Sequence, residues 1–176
     1  MRFVSVLSVI KRRRSIRKFS NEAIPDGIFL ALLEGIQWAP SGSNQQPWLV
    51  VVIRQKTNIQ KVKMFSPGLQ GDPAALLVLC YDRSISTNTA IMDIAMAAQN
   101  VMLIATENGL GSCVVRSFNQ AAVQSVLGLP SHVTPELLIS LGYPAETVAP
   151  PKRKSVGAFT HWERYGGALH EEQSKE

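Results

Sequence analysis

Apolar positions along the chain switch repeatedly between helical and strand-like spacing. Val6, Leu7 and Ile10 share one face of a helix predicted over Val4–Arg12. A second helix is predicted from Pro25 and Asp26 through Trp38: proline is tolerated in a first turn, and Ile28, Leu32, Leu33 and Ile36 recur at helical spacing. Trp48–Ile53 is a nearly continuous apolar run of strand length, which predicts a strand covered on both faces. Thr57 is placed to cap a short helix ending at Met64. Pro67–Pro73, with two glycines, predicts a loop, and Ala74–Tyr81 a second buried strand.

Thr89–Asn108 is the longest helix candidate, and Gly109 follows where a left-handed residue ends a helix. Ile94, Ala97, Ala98, Val101, Ile104 and Ala105 form one apolar face, while Ile91, Ala95, Met102 and Leu103 lie elsewhere. A helix apolar nearly all round is buried on all sides, so a partner subunit is expected over the second face, with a central helix of a monomer as the alternative. Ser112–Val115 predicts a short strand, Asn119 caps a helix through Leu127, and Glu136–Leu141 predicts a further strand. The tail from Ala149 carries two prolines, a basic cluster, and then Phe159, His161, Trp162 and Tyr165, so it is expected to dock on something. Helices alternating with apolar strands give an α/β or α+β sandwich.

Composition narrows this picture. The 176 residues fit one domain, and 45% hydrophobic with 18% charged content describes a folded chain rather than a disordered one. Met1–Ile10 is short, amphipathic and followed by charges without a small-residue cleavage site, so no secretory signal is expected. No apolar run approaches the length of a membrane span. Cys80 and Cys113 both lie in apolar strand-like segments; two buried thiols are expected rather than a disulfide or metal pair, which fits a reducing cytoplasm.

Charge is concentrated. Lys11–Lys18 holds six basic residues in eight, and Lys152, Arg153 and Lys154 add three more to a chain of net charge +5. A nucleic-acid arm, a solvated helix end and an anion site are all consistent with such clustering. Arg13, Arg14 and Arg17 offer paired donors that match phosphate geometry, and Ser15 adds a hydroxyl. Against nucleic acid, the chain has no recognisable nucleic-acid motif and its aromatics are not interleaved with the charges. Pro40–Pro47 is a second polar segment, with Ser41, Ser43, Asn44, Gln45 and Gln46 around Gly42. Its amides both donate and accept, which suits the edge of a flat heterocycle better than plain turn chemistry requires. His132, His161 and His170 show no metal spacing, and no Ser-His-Asp order or carboxylate pair stands out.

Together, Arg13-Arg14-Ser15-Ile16-Arg17-Lys18-Phe19 and Ala39-Pro40-Ser41-Gly42-Ser43-Asn44-Gln45-Gln46-Pro47-Trp48 resemble the nitroreductase family of FMN-dependent NAD(P)H oxidoreductases, in a short form. Ala98–Leu103, the Gly109-Leu110-Gly111-Ser112-Cys113 turn, Leu127–Pro130 and Leu141–Pro144 extend the likeness over nearly the whole chain. The resemblance implies an α+β, nitroreductase-like three-layer sandwich with a central, mainly antiparallel sheet flanked by helices. It further implies a single FMN-binding domain over residues 1–176 and a homodimer whose residues 149–176 form a swapped tail docked on the partner subunit.

By the same resemblance, Arg13, Arg14, Ser15 and Arg17 hold the phosphate and the ribityl or ring edge, with Lys152 and Lys154 closing over the phosphate. Pro40, Ser41, Gly42 and Asn44 reach the flavin of the other subunit. Arg116 and Ser117 match the strand end whose amide faces flavin N5. An arginine at position 116 departs from the family's usual small or acidic residue: it either stabilises the reduced flavin or attracts an acidic substrate, or else points to solvent. The short segment between Ile53 and Ala74 leaves the ring face open, with Ser66 and Gln70 as candidate contacts.

The implied activity is ping-pong hydride transfer from NADH or NADPH to flavin N5 and on to an electron-poor small-molecule acceptor such as a nitroaromatic or quinone. No residue need act as a catalytic acid or base, because flavin carries the reaction. The alternatives are a specialised relative (a reductive dehalogenase, a dehydrogenating oxidase or a flavin-cleaving enzyme) or a basic binding module without redox activity. No metal, nucleic-acid or membrane partner is expected.

Overall fold

Leucine, isoleucine and valine fill two cores on opposite faces of one sheet. The computed structural model describes residues 5–86 and 88–168. Helix α1 spans Val6–Arg12 and α2 Asp26–Gln37; strand β1 is Trp48–Ile53, α3 Lys56–Lys63, β2 Ala75–Asp82, α4 Ala90–Glu107, β3 Gly111–Val115, α5 Gln120–Val126 and β4 Val133–Gly142. The strands pair antiparallel throughout, in the order β1-β2-β4-β3.

Side chains on β2 and β4 alternate between the two faces, as the pleat requires. Leu77, Leu79, Ile139 and Leu141 pack with Leu32 and Ile36 of α2 and Ile94, Ala97 and Val101 of α4. Leu76, Val78 and Leu138 pack with Ile59 and Val62 of α3 and Val123 of α5. Two helical layers therefore sandwich the sheet, the three-layer α+β arrangement expected from the sequence. Gly35 sets the approach of α2 to α4: a Cβ there would lie 2.3 Å from the Ile104 side chain. Asn100 Nδ2 seals the same crossing by donating to the Gly35 carbonyl at 2.9 Å.

Three local expectations need correction. β1 is an edge strand whose faces are covered only in part: Trp48 and Val50 pack on one core and Val51 and Ile53 on the other, while Leu49 and Val52 stay exposed. Thr57 lies inside α3, and Gln55 occupies the cap position without a capping bond to the helix backbone, its Oε1 accepting instead from Asn58 Nδ2 at 3.1 Å. Val4 lies outside the described residues, and α1 starts at Val6. The Asn119 cap is as expected, its side chain accepting from Ala122 N at 3.0 Å. Both thiols are free and buried, and desolvation pushes Cys80 up to about 12.

α4 is buried along Ile94, Ala97, Ala98, Val101 and Ala105, but Ile91, Met92 and Met96 are exposed on its other side. Val6, Leu7 and Ile10 of α1 and Leu30 and Trp38 at α2 are exposed as well. Among the described residues, no helix is long and apolar enough to cross a membrane.

Candidate functional site

The basic segment leaves α1 and lies across the ends of β3 and β4. Ile16 N donates to the Ser112 carbonyl at 3.0 Å, Ser20 N to Tyr143 at 2.9 Å, and Ala145 N to Lys18 at 2.9 Å. Glycine permits this close approach: a Cβ on Gly111 would fall 2.7 Å from Ile16, and one on Gly142 2.8 Å from the Phe19 ring. Glu146 fixes the next step of backbone, its Oε1 accepting from Arg17 N at 2.7 Å and Lys18 N at 3.0 Å. Those two bonds hold the Glu146 carboxyl below the ordinary carboxylate range.

Arg13, Arg14 and Ser15 are half-buried here and Arg17 is exposed. Arg14 Nη1 donates to the carbonyls of Lys11 at 2.7 Å and Arg13 at 2.8 Å, so this arginine partly serves the C-terminal end of α1. Its buried Nε has no acceptor among the described residues. Among the described residues the Arg17 guanidinium makes one hydrogen bond, a long 3.5 Å contact to the Ser15 carbonyl.

The loop after α3 closes the region from the other side. Gly68 N donates to the Ser117 carbonyl at 3.0 Å. Gly71, at φ +67°, lies so close to Arg17 that a Cβ would sit 1.9 Å from its carbonyl oxygen. Lys63 Nζ secures the loop, donating to the Gly71 carbonyl at 2.7 Å and to Asp72 Oδ1 at 2.9 Å. One short loop thus touches both Arg17 and Ser117. Ser66 is not a free contact, because it is buried and its hydroxyl donates to the Val62 carbonyl at 2.8 Å.

Arg116 has a partner that the sequence did not reveal. Its Nη2 lies 2.7 Å from Oε1 of Glu136, a buried carboxylate. The β2–β4 register shifts here, with Leu79 opposite Leu137 and Cys80 opposite Pro135. Glu136 is the extra residue of this bulge, freed from the regular ladder. Desolvation raises the Glu136 pKa, with the Arg116 charge opposing it. Gln120 Nε2 approaches its other oxygen at 3.5 Å.

The amide-rich segment forms a short 3-10 turn, Gly42–Asn44. Ser43, Asn44 and Gln46 have φ of 50°, 55° and 51°, three non-glycine residues in the left-handed region. Asn44 N and Gln46 N bond to the Ser41 carbonyl and hydroxyl, and Gly42 N donates to Asp93 Oδ1 of α4 at 3.1 Å. Pro40 and Ser43–Gln46 are exposed, while Ser41 and Gly42 are half-buried.

Within one chain the two polar segments attach to opposite ends of α4. Gly42 bonds to Asp93 in the first turn, whereas Ser15 bridges to Ser112, just beyond the last turn. At ~1.5 Å per residue the intervening helix is roughly 20 Å long.

Lys152 and Lys154 are exposed on the tail, whose hydrogen bonds among the described residues stay within it, such as Thr160 Oγ1 to the Val156 carbonyl at 2.8 Å. Val156 and Phe159 are exposed and Tyr165 is 92% accessible. The structure does not join these lysines to Arg13 or Arg17 by any described contact. His161 packs on Tyr165 with ring centroids 4.4 Å apart, and His132 lies 3.8 Å from Asp82. His170 is outside the described residues. Among the described residues no cluster of three or more His, Cys, Asp or Glu could hold a metal.

The family model for the nitroreductase family matches residues 10–82 and 59–143, which takes in both polar segments, α4 and all four strands. The chain belongs to the nitroreductase family. A protein of Archaeoglobus fulgidus bearing the provisional name NADH dehydrogenase/NAD(P)H nitroreductase is 31% identical over 149 residues, covering 80% of this chain and 86% of the relative. An iodotyrosine deiodinase of Thermotoga neapolitana is 25% identical over 162 residues, covering 76% and 86% of the two chains. An FMN-dependent nitroreductase structure from Clostridium difficile superposes with a TM-score of 0.83 at 23% identity, covering 90% of this chain and 99% of that one, a likeness of fold. As a nitroreductase-family protein the chain is an oxidoreductase acting on small molecules.

Proposed function

We propose that this nitroreductase-family protein binds FMN at two equivalent sites of a homodimer and passes hydride from NADH or NADPH to an electron-poor acceptor such as a nitroaromatic or quinone. The observation that carries this reading is the donor set around Ser15. Among the described residues a buried Arg14 Nε lacks an acceptor, and the Arg17 guanidinium makes one long hydrogen bond. Such donors fit a phosphate, which supplies the acceptor oxygens that the described residues do not. Arg13, Ser15 and Arg17 would hold that phosphate, with Arg14 contributing through Nε. Lys152 and Lys154 would join them. The backbone at Arg116 and Ser117 would face the ring edge.

Asn44, Ser41, Gly42 and Pro40 would serve the flavin of the second subunit. The roughly 20 Å of helix between the two segments favours this division, because one chain holds them at opposite ends of α4. The exposed apolar residues of α1, α2 and α4 offer the second copy an apolar surface. The chemistry supplied by the bound cofactor is reversible hydride acceptance at N5. The protein's part is to bind, orient and tune.

Purified protein should be yellow and release FMN on denaturation, and anaerobic NADH or NADPH should bleach it. A colourless protein that gains no flavin absorbance on FMN addition contradicts the proposal. Flavin that neither nicotinamide bleaches would instead favour a specialised activity, a reading supported by the iodotyrosine deiodinase relative.

A further inference from the structure

We propose that Asp93 is a positioning residue whose buried carboxylate clamps the 41–46 loop in the shape that presents Asn44 to the cofactor. This inference rests on the flavin reading above. Asp93 is 1% exposed and stands between Met92 and Ile94 on a helix that is otherwise apolar along its buried side. A carboxylate buried there carries a desolvation cost, so its bonding partners matter. Oδ1 accepts the Gly42 amide at 3.1 Å and Oδ2 accepts the Thr89 hydroxyl at 3.0 Å. Thr89 Oγ1 is itself 3.2 Å from Ser86 Oγ, which steadies the acceptor from behind.

The loop that this carboxylate holds is strained. Ser43, Asn44 and Gln46 all adopt positive φ, which persists in non-glycine residues only when surrounding structure enforces it. Bonds from Asn44 N and Gln46 N to Ser41 fix the loop's internal shape. The Gly42–Asp93 bond fixes where that shape sits on the fold. Gly42 is what lets the amide reach: a Cβ there would fall 2.6 Å from Thr89 Oγ1. Glycine for approach, aspartate as acceptor and threonine to orient it form one device, and its Asp93 and Thr89 lie outside the groups assigned to the flavin itself.

The test compares Asp93→Ala and Asp93→Asn with wild type, by FMN titration of the apo-protein and by hydrogen exchange of the apo-protein without flavin. Asp93→Ala strands the half-buried Gly42 amide, so the FMN Kd should rise by about tenfold or more. Exchange should accelerate across 41–46 while β2 and β4 stay protected. Asp93→Asn keeps an acceptor for Gly42 and a group that can bond Thr89, so both readouts should remain near wild type. Unchanged loop exchange and FMN Kd in Asp93→Ala, or Asn as damaging as Ala, overturns the clamp. If Asp93→Ala does not fold, Thr89→Val takes its place: faster loop exchange and weaker FMN binding support the clamp, and no change in either overturns it. Wild-type protein that binds no FMN sinks the flavin reading instead, while exchange in the apo-protein still decides the clamp.

Discussion

Arg116 on the segment after β3 is ion-paired with Glu136, the bulged residue of β4, at 2.7 Å. The arginine therefore sets its charge against a buried carboxylate while its side chain stays largely open to solvent. Removing it leaves a buried carboxylate without its counter-charge. Because the Arg116 side chain is 59% exposed, Arg116→Ala should cost only about 1 kcal/mol in urea unfolding.

The same pair sets a pH signature. Burial raises the folded-state pKa of Glu136 above its unfolded value. Its contribution is thus fully present below the unfolded pKa and is lost as pH rises through the folded pKa. Arg116→Ala should raise that pKa further and steepen the loss of stability above about pH 4.5. Glu136→Gln should flatten it and, by leaving Arg116 unpaired, raise the midpoint potential of bound flavin. Unfolding curves across pH check the first effect and redox titration the second; unchanged values in both variants contradict the coupling.

Gly71 should tolerate no side chain. Its positive φ and the closeness of the Arg17 carbonyl mean that Gly71→Ala must move backbone. A loss of about 1–3 kcal/mol in stability is expected, together with weaker FMN binding as Arg17 shifts. Thermal melts of the apo-protein and FMN titration separate the two effects. A variant with wild-type values in both would show that the loop does not fix Arg17.

Acid should loosen the proposed phosphate cradle through Glu146. Its folded pKa lies below the unfolded one, so its stabilising contribution is present above the unfolded pKa and lost as pH falls through the folded value. The window therefore opens near pH 4.5 and extends downward. Glu146→Gln, which cannot ionise, should show a flatter stability profile in that range. Equal slopes for variant and wild type in urea unfolding would rule out Glu146 as the source.

The exposed stripe on α4 should be the dimer contact. Ile91→Asp or Met96→Asp replaces an exposed apolar side chain with a charge; each apolar side chain buried on association is worth up to ~1.5–3 kcal/mol. Sedimentation should show monomers, and flavin should be lost with the dimer. Dimers that persist unchanged would place the interface elsewhere.

The elements were legible because Ala74–Tyr81 and Thr89–Asn108 carry strong apolar patterns, and Asn119 and Gly109 mark their helix ends by side-chain bonding and positive φ. The edge position of β1 was not legible, since WLVVVI reads the same wherever a strand sits in a sheet. The two polar segments could be read locally, but their supports could not. Glu146, Glu136 and Gly71 act through contacts distant in sequence, which no spacing rule exposes. Asp93 did carry a signal: a lone acid between Met92 and Ile94 in an apolar helix needs a buried partner. Arg14 reads as a cradle residue, yet the end of α1 claims part of its guanidinium.

The most direct test of the central claim is flavin stoichiometry in a mixed dimer with Arg13→Ala in one subunit and Asn44→Ala in the other. If each flavin is held by the arginine segment of one chain and the amide loop of its partner, one site carries both changes and the other none. The mixed dimer should then bind one FMN with wild-type affinity. Two equally weakened sites would contradict the account, because Arg13 and Asn44 would then serve a flavin held within a single chain.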